Sequence, residues 1–174
     1  VHTHLHRGNG AGADDLGLAL GSVKFLQNRL GPAADRSFVR MDGEHGTVPY
    51  FAACREAGLP FITRLNRPKL FDDLTVLDTL RRATWHRVSD SLSGPSRGAA
   101  DLGILKVHSG KKTLKPNGEH FEPIEVRVVA SIFPVDSAAK HGRVLDGFQV
   151  ELFAVDLPAD AWPAAEAVAL YHRR

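Results

Sequence analysis

One cysteine, one methionine and no long apolar run distinguish this 174-residue chain at first reading. The lone thiol, Cys54, excludes an internal disulfide and a cysteine-based zinc cluster, so the hydrophobic core must hold the fold by itself. No stretch reaches the ~18 consecutive apolar residues of a membrane-spanning helix. The opening Val1-His2-Thr3-His4-Leu5-His6-Arg7 has no apolar signal segment. These absences predict a cytoplasmic protein with no membrane partner. A strong charge of either sign is also missing: 22 Lys and Arg stand against 20 Asp and Glu, a formal net charge of +2. Hydrophobic residues at 43% and charged residues at 24% fit a globular domain and exclude wholesale disorder, collagen-like repetition and coiled coil. The length suits one domain or a large piece of one. Both ends read as cut, because the chain opens inside an extended segment and its last helical segment stops at Tyr171-His172-Arg173-Arg174 with no Gly or Asn cap.

An α/β fold follows from the order of elements. After a glycine-rich loop at Gly8-Asn9-Gly10-Ala11-Gly12, a helix capped by Asp14 or Asp15 carries Leu16, Ala19, Leu20, Val23, Leu26 and Leu30 as one apolar stripe, predicted to pack on a sheet. Ser37 to Met41 reads as a buried strand ending at Asp42-Gly43. Val48 to Ala57 reads as a helix ending at Gly58, and Leu59 to Arg64 as another strand. Such alternation predicts an α/β sheet with right-handed crossovers. The middle of the chain then becomes β-rich, with strands over Leu102 to Val107, Ile124 to Phe133 and Phe148 to Val155, and a turn at Lys115-Pro116-Asn117-Gly118. A final helix is predicted from near Asp160, with Trp162, Ala165, Val168 and Ala169 facing the core.

Positive charge is concentrated in one region. Between Thr79 and Lys115 stand Arg81, Arg82, Arg87, Arg97, Lys106, Lys111, Lys112 and Lys115 against Asp90 and Asp101, a local excess of six. Such a stretch could attract a phosphate backbone, or it could be a solvated hairpin.

Among residues with chemical potential, Asp42 closes a core strand, the place where α/β sheets present ligands, and its carboxylate can hold a hard divalent cation. A plain turn Asp beside Gly43 is the alternative. Glu44 and His45 are supporting donors within three residues. His2, His4 and His6 alternate and would share one face of a strand, a spacing compatible with a zinc hydrolase site, or with an edge strand that happens to be His-rich. Cys54 reads as a packing residue. Tyr171 and Arg174 lie three apart on one helix face.

Four stretches taken together resemble the DDE transposases of bacterial insertion sequences: Arg7-Gly8-Asn9-Gly10-Ala11-Gly12; Val39-Arg40-Met41-Asp42-Gly43-Glu44-His45-Gly46; Ala57-Gly58-Leu59-Pro60-Phe61-Ile62-Thr63-Arg64; and Glu151-Leu152-Phe153-Ala154-Val155-Asp156-Leu157-Pro158, running into Tyr171-His172-Arg173-Arg174. The resemblance is to the cut-and-paste group. It implies an RNase H-like, retroviral-integrase-like core, incomplete in this chain and carrying an inserted β-rich subdomain. On that resemblance, 1–66 holds core strands and helices with the second catalytic Asp, 67–146 the insertion, and 147–174 a core strand and the start of the catalytic-Glu helix.

Asp42 is thereby implied as a catalytic, metal-binding acid. Tyr171 and Arg174 match the start of a Tyr-x-x-Arg-x-x-x-Glu signature whose Glu would follow the chain, and the first Asp would precede Val1. The resemblance further implies Mg²⁺ or Mn²⁺ as cofactor, and transposon-end and target DNA as partners; by their charge, Arg81, Arg82, Arg87, Lys106, Lys111, Lys112 and Lys115 of the basic stretch are the candidate DNA contacts. It also implies self-association of the complete transposase, and a nucleoid association when DNA is bound. Two cations about 4 Å apart need several carboxylates, so with one acid of three this chain is expected neither to cleave nor to join DNA alone. A non-catalytic DNA-binding or dimerising remnant is the alternative.

Overall fold

The structure, a computed structural model, describes residues 13–31, 37–65, 68–89, 96–110, 113–135 and 142–173. The glycine loop at 8–12, His2, His4, His6, Lys111, Lys112 and Arg174 lie outside the described residues. The order of elements is α1 (Ala13–Leu30), β1 (Val39–Met41), α2 (Val48–Glu56), β2 (Phe61–Arg64), α3 (Leu74–Arg82), β3 (His86–Arg87), β4 (Gly98–Val107), β5 (Ile124–Pro134), β6 (Arg143–Leu145), β7 (Phe148–Val155) and α4 (Ala164–His172). Short 3₁₀ turns occupy Gly43–His45 and Pro68–Asp72.

The chain is mixed α/β, with one seven-stranded sheet in the order β1-β2-β7-β5-β4-β3 and β6 beside β7. Among the described residues only β1 and β2 run parallel, with Val39 opposite Phe61 and Met41 opposite Thr63. The expectation of a sheet built by crossovers therefore holds for that pair alone. From β2 onward the neighbours are antiparallel. A tight turn accounts for the antiparallel β6–β7 pair, whereas β2 and β7 meet across more than 80 residues of chain. Between β6 and β7 the link is Asp146-Gly147, with φ of 49° and 83°, the two left-handed residues that a tight hairpin demands.

α2 shows how sequence sets local structure. Pro49 occupies its first turn, where a missing N–H costs nothing. At the other end the Gly58 N–H donates to the Arg55 carbonyl and the Leu59 N–H to the Cys54 carbonyl, both at 2.9 Å, with Gly58 at φ +64°. This pair of bonds is the Schellman cap, which uses glycine because the left-handed conformation is strained for other residues. Cys54 is fully buried, and burial together with the charge of Asp156 pushes its thiol up to about 12. It packs as a neutral thiol, as its sequence setting suggested.

Helices cover both sheet faces. Val126, Val128, Ala130, Leu152 and Ala154 face a core shared with Phe51 of α2, Val76 and Leu80 of α3 and Leu20 of α1. Phe51 stacks on Phe61 with ring centres 5.0 Å apart. The alternate residues Val129, Phe153 and Val155, with Ile62, meet Ala164, Ala167 and Val168 of α4. This double coverage explains why β5 and β7 are buried nearly throughout rather than on one face only. Among the described residues no helix is long and apolar enough to cross a membrane.

Two expectations about helices need correction. α1 packs against α2 and reaches the sheet's core through Leu20, without lying on the sheet along its whole stripe. Leu20 is buried, but Leu26 and Leu30, assigned to the same stripe, are 40% and 62% exposed. α2, at nine residues, is about 14 Å long at 1.5 Å per residue, too short to cover the 18 residues of α1. α4 begins at Ala164 rather than near Asp160, with Pro163 in an extended conformation at the N-cap and residue 162 disfavoured from helix by the proline after it. The structure also adds α3, where no helix was expected. Asp73 accepts a hydrogen bond from the Thr75 N–H at 2.8 Å to cap it.

Phe153 is fully buried and lies against Tyr171. Phe153→Ala is expected to cost about 3–5 kcal/mol through lost burial and a residual cavity, whereas Leu26→Glu changes stability by less than about 0.5 kcal/mol. Urea denaturation of the two variants checks both values.

Candidate active site at the end of the parallel strands

The end of β1 is built by short-range hydrogen bonds. Asp42 leaves the strand in extended conformation and caps the Gly43–His45 turn, accepting from the Glu44 N–H at 3.0 Å. Its Oδ1 also lies 2.7 Å from Nδ1 of His45. The buried Thr63 hydroxyl donates to the Asp42 carbonyl at 2.8 Å, tying the loop to β2. The His45 ring in turn meets Tyr50 edge-on, 4.7 Å between centres. Partial burial raises the Asp42 pKa, but the His45 hydrogen bond and charge and the Glu44 and His45 backbone bonds outweigh it. The carboxyl is held below its ordinary value. With 66% of its side chain exposed, Asp42 presents a carboxylate to solvent at neutral pH.

α4 brings the second sequence-predicted residue to the same place. The Arg40 guanidinium donates to the Arg173 carbonyl, which fastens the end of α4 against β1. Tyr171 is half-buried and packs on Phe153 at 4.8 Å. Burial raises its phenol above the usual value. The Arg64 charge opposes that shift, the Asp42 and Glu151 charges add to it, and the Arg64 backbone hydrogen bond opposes it. The charge of Asp42 is thus felt at Tyr171, 129 positions further along the chain.

Between them lies a set of charges that sequence reasoning did not single out. Glu151 of β7 is 4% exposed. Its Oε1 accepts from Nη1 of Arg64 at 3.2 Å and its Oε2 from Nη1 of Arg97 at 3.0 Å. Arg97 also lies over the Phe133 ring, 4.0 Å from its centre. Arg64 lies flat on Gly43: a Cβ added there would stand 2.7 Å from both Nε and Nη2. Gly43 is therefore glycine for close approach, at a backbone angle open to any residue. His172 places Nε2 at 3.9 Å from Glu151 Oε2. Burial, the Arg97 charge and the Arg64 charge lower its pKa to about 4 against the opposing pull of Glu151. One signal for Glu151 existed in the sequence. It is a carboxylate placed between Val150 and Leu152, on the strand face that carries Phe153 and Val155.

The remaining sequence-predicted residues are dispersed. Glu44 is exposed beside Asp42. Arg81 and Arg82 project from the last turn of α3, Arg82 pairing with Asp78 at 3.1 Å. Arg87 lies on the edge strand β3, opposite Gly98. Lys106 lies near the other end of β4, about 25 Å away at 3.3 Å per residue. Lys115 pairs with Glu119 at 3.7 Å. Arg97, counted with the basic stretch, turns inward to Glu151. The local excess of charge is therefore not one continuous surface.

Asp42 suits a hard cation by its oxygen chemistry and its ionised state. Among the described residues, however, no group of three or more His, Cys, Asp or Glu is placed to hold a metal ion. The donors present do not by themselves make a magnesium centre. No family model and no curated protein matches the chain.

His172 generates a test in acid. Its folded pKa of about 4 lies below the ordinary value of 6.5, so the unfolded chain binds this proton first and stability falls as pH drops from 6.5 toward 4. The contribution is complete above 6.5. Urea midpoints across that window are expected to fall more steeply for the native chain than for His172→Gln. Parallel curves for the two proteins would contradict the buried neutral imidazole.

Proposed function

We propose that the chain serves DNA strand cleavage and transfer of the DDE transposase kind, with Asp42 as one acid of the catalytic set. The observation that carries this reading is that the Arg40–Arg173 hydrogen bond brings the end of α4, and with it Tyr171, to β1, whose C-terminal end carries the exposed Asp42 carboxylate. Asp42 and Tyr171 are the two described residues that the resemblance marked as functional. The parallel β1–β2 pair linked through α2 supports an RNase H-like reading of this part of the core. The antiparallel strands that extend it support an inserted β-rich subdomain.

Phosphoryl transfer depends on positioning and on stabilising charge at phosphorus rather than on covalent chemistry by the protein. In this reading Asp42 supplies a hard anionic oxygen, which Mg²⁺ or Mn²⁺ would take as one ligand among donors beyond those described. Arg64, with 21% of its side chain exposed, packs its Nε and Nη2 edge against Gly43 and would offer the positive charge of its exposed part to a non-bridging phosphate oxygen. Tyr171, a neutral phenol at the end of α4, would orient the DNA backbone by hydrogen bonding. Arg81, Arg82 and Arg87, exposed at one end of the sheet, supply non-specific attraction to duplex DNA. DNA is the partner, and self-association belongs to the same reading.

The absence of a complete metal-ligand group among the described residues favours one rival, a protein that binds DNA without catalysing anything. Fluorescence anisotropy with a short DNA duplex separates the two. Catalytic membership predicts that Mn²⁺ strengthens binding by the native chain and that Asp42→Asn removes this increment while leaving metal-free binding unchanged. In both readings, Arg81→Ala with Arg82→Ala lowers the salt slope by about 0.9 for each phosphate that the variant no longer neutralises. Salt-dependent binding indifferent to Mn²⁺ and to Asp42→Asn would favour the binding-only protein, and no DNA binding at low salt would overturn both.

A further inference from the structure

Two guanidiniums and one carboxylate meet beneath the β1 loop, and their arrangement is directional. Glu151 is almost wholly buried in the middle of β7 and gives each Arg a different oxygen. Arg97 is immobilised on its far side by the Phe133 ring. Glu151 is thus braced by a fixed cation and holds Arg64 from behind. In front, Arg64 lies against Gly43, the residue that follows Asp42. The guanidinium is confined between a buried carboxylate and a backbone surface, with its direction set by both.

We propose that Glu151 is a positioning residue that fixes the Arg64 guanidinium beside the Asp42 loop and directs it toward a DNA phosphodiester. This role rests on the DNA phosphoryl-transfer reading. Replacing a buried ion group by apolar residues is often neutral or stabilising, so stability alone does not account for the group. Geometry does: Arg64 carries several rotatable bonds, and an unbraced side chain would lose most of the benefit of preorganised charge. The group also retains one net positive charge, from two guanidiniums and one carboxylate, with His172 neutral above its pKa of about 4. That sign matches an anionic oxygen.

Positioning and simple attraction predict opposite outcomes when the carboxylate is removed. Glu151→Gln adds a positive charge to the site, so a purely electrostatic role would strengthen DNA binding. A positioning role predicts looser Arg64 geometry.

The test is NMR of the full chain labelled with ¹⁵N-arginine, with the Arg64 signals assigned through Arg64→Lys. In the native protein the held Nη1 is expected to slow rotation of the guanidinium and give resolved Nη protons. Addition of a short DNA duplex is expected to move the Arg64 Nε signal. In Glu151→Gln the Nη protons are expected to collapse to one averaged signal, and the DNA-dependent shift of Nε to disappear. Glu151→Asp keeps the charge but withdraws the carboxylate by one methylene, and it supplies the same readout if Glu151→Gln does not fold.

Arg64 signals in a folded Glu151 variant that match the native ones would overturn the positioning role. The two claims fail separately, because the Glu151 dependence of the guanidinium is read without DNA. A native Arg64 signal that depends on Glu151 but stays unmoved by a duplex that the chain binds would overturn the phosphodiester assignment alone, and a duplex that the chain does not bind would overturn the DNA reading.

Discussion

A carboxylate buried in the central part of β7 constrains everything around it. Glu151 cannot sit there as an isolated charge, since an unpaired ion in the interior costs several kcal/mol. It requires Arg64 from β2 and Arg97 from the approach to β4. Those two pairings tie three strands together, so they fix which side chains share the α4 face of the sheet. They also explain why Gly43 must be small, because the Arg64 guanidinium occupies the space where a side chain would begin.

The rest of the site follows from where this group lies. β1 and β2 are the parallel pair, and both end at the same edge, so Asp42 and Arg64 emerge together. Open α/β sheets present ligands at the carboxyl ends of their parallel strands, and Thr63 ties the two strand ends into one unit through the Asp42 carbonyl. α4 crosses the same face and ends there, held by Arg40, which brings Tyr171 and His172 over Phe153. The burial that keeps His172 neutral leaves Arg64 and Arg97 facing a single carboxylate. A surface carboxylate therefore stands beside a buried cluster with a net positive charge.

Local signals were the readable ones. The limits of α2 followed from Pro49 and Gly58, and β5 and β7 from their runs of β-branched and aromatic residues, whereas β4 begins at Gly98 rather than Leu102, because Gly98 to Asp101 carry no such side chains. The Lys115 to Gly118 turn was legible too, and it closes with a Gly118 N–H to Lys115 carbonyl bond of 2.9 Å. α3 carried a capping Asp73 with Val76 and Leu80 on one face, but lay in a segment whose neighbours were β-rich. The Asp146-Gly147 hairpin was written in two residues and bounded a strand of only three. Strand direction and α1 docking were not legible, because both depend on partners distant in sequence. The site divides the same way. The strand end points to Asp42 as a candidate, and the resemblance points to Tyr171. The Arg64–Glu151 and Arg97–Glu151 pairs join residues 87 and 54 apart, and no periodicity records such a pairing.

Arg64 and Glu151 act as one unit inside the sheet, and every other part of the site is arranged around that unit. A double-mutant cycle by urea denaturation, with Arg64→Met, Glu151→Gln and the combined variant, measures their coupling directly. The expected coupling free energy stands well above the range of about 0.2–1 kcal/mol typical of exposed ion pairs. A value within that range would mean that Glu151 does not hold Arg64 in place, and the site would be left without its organising pair.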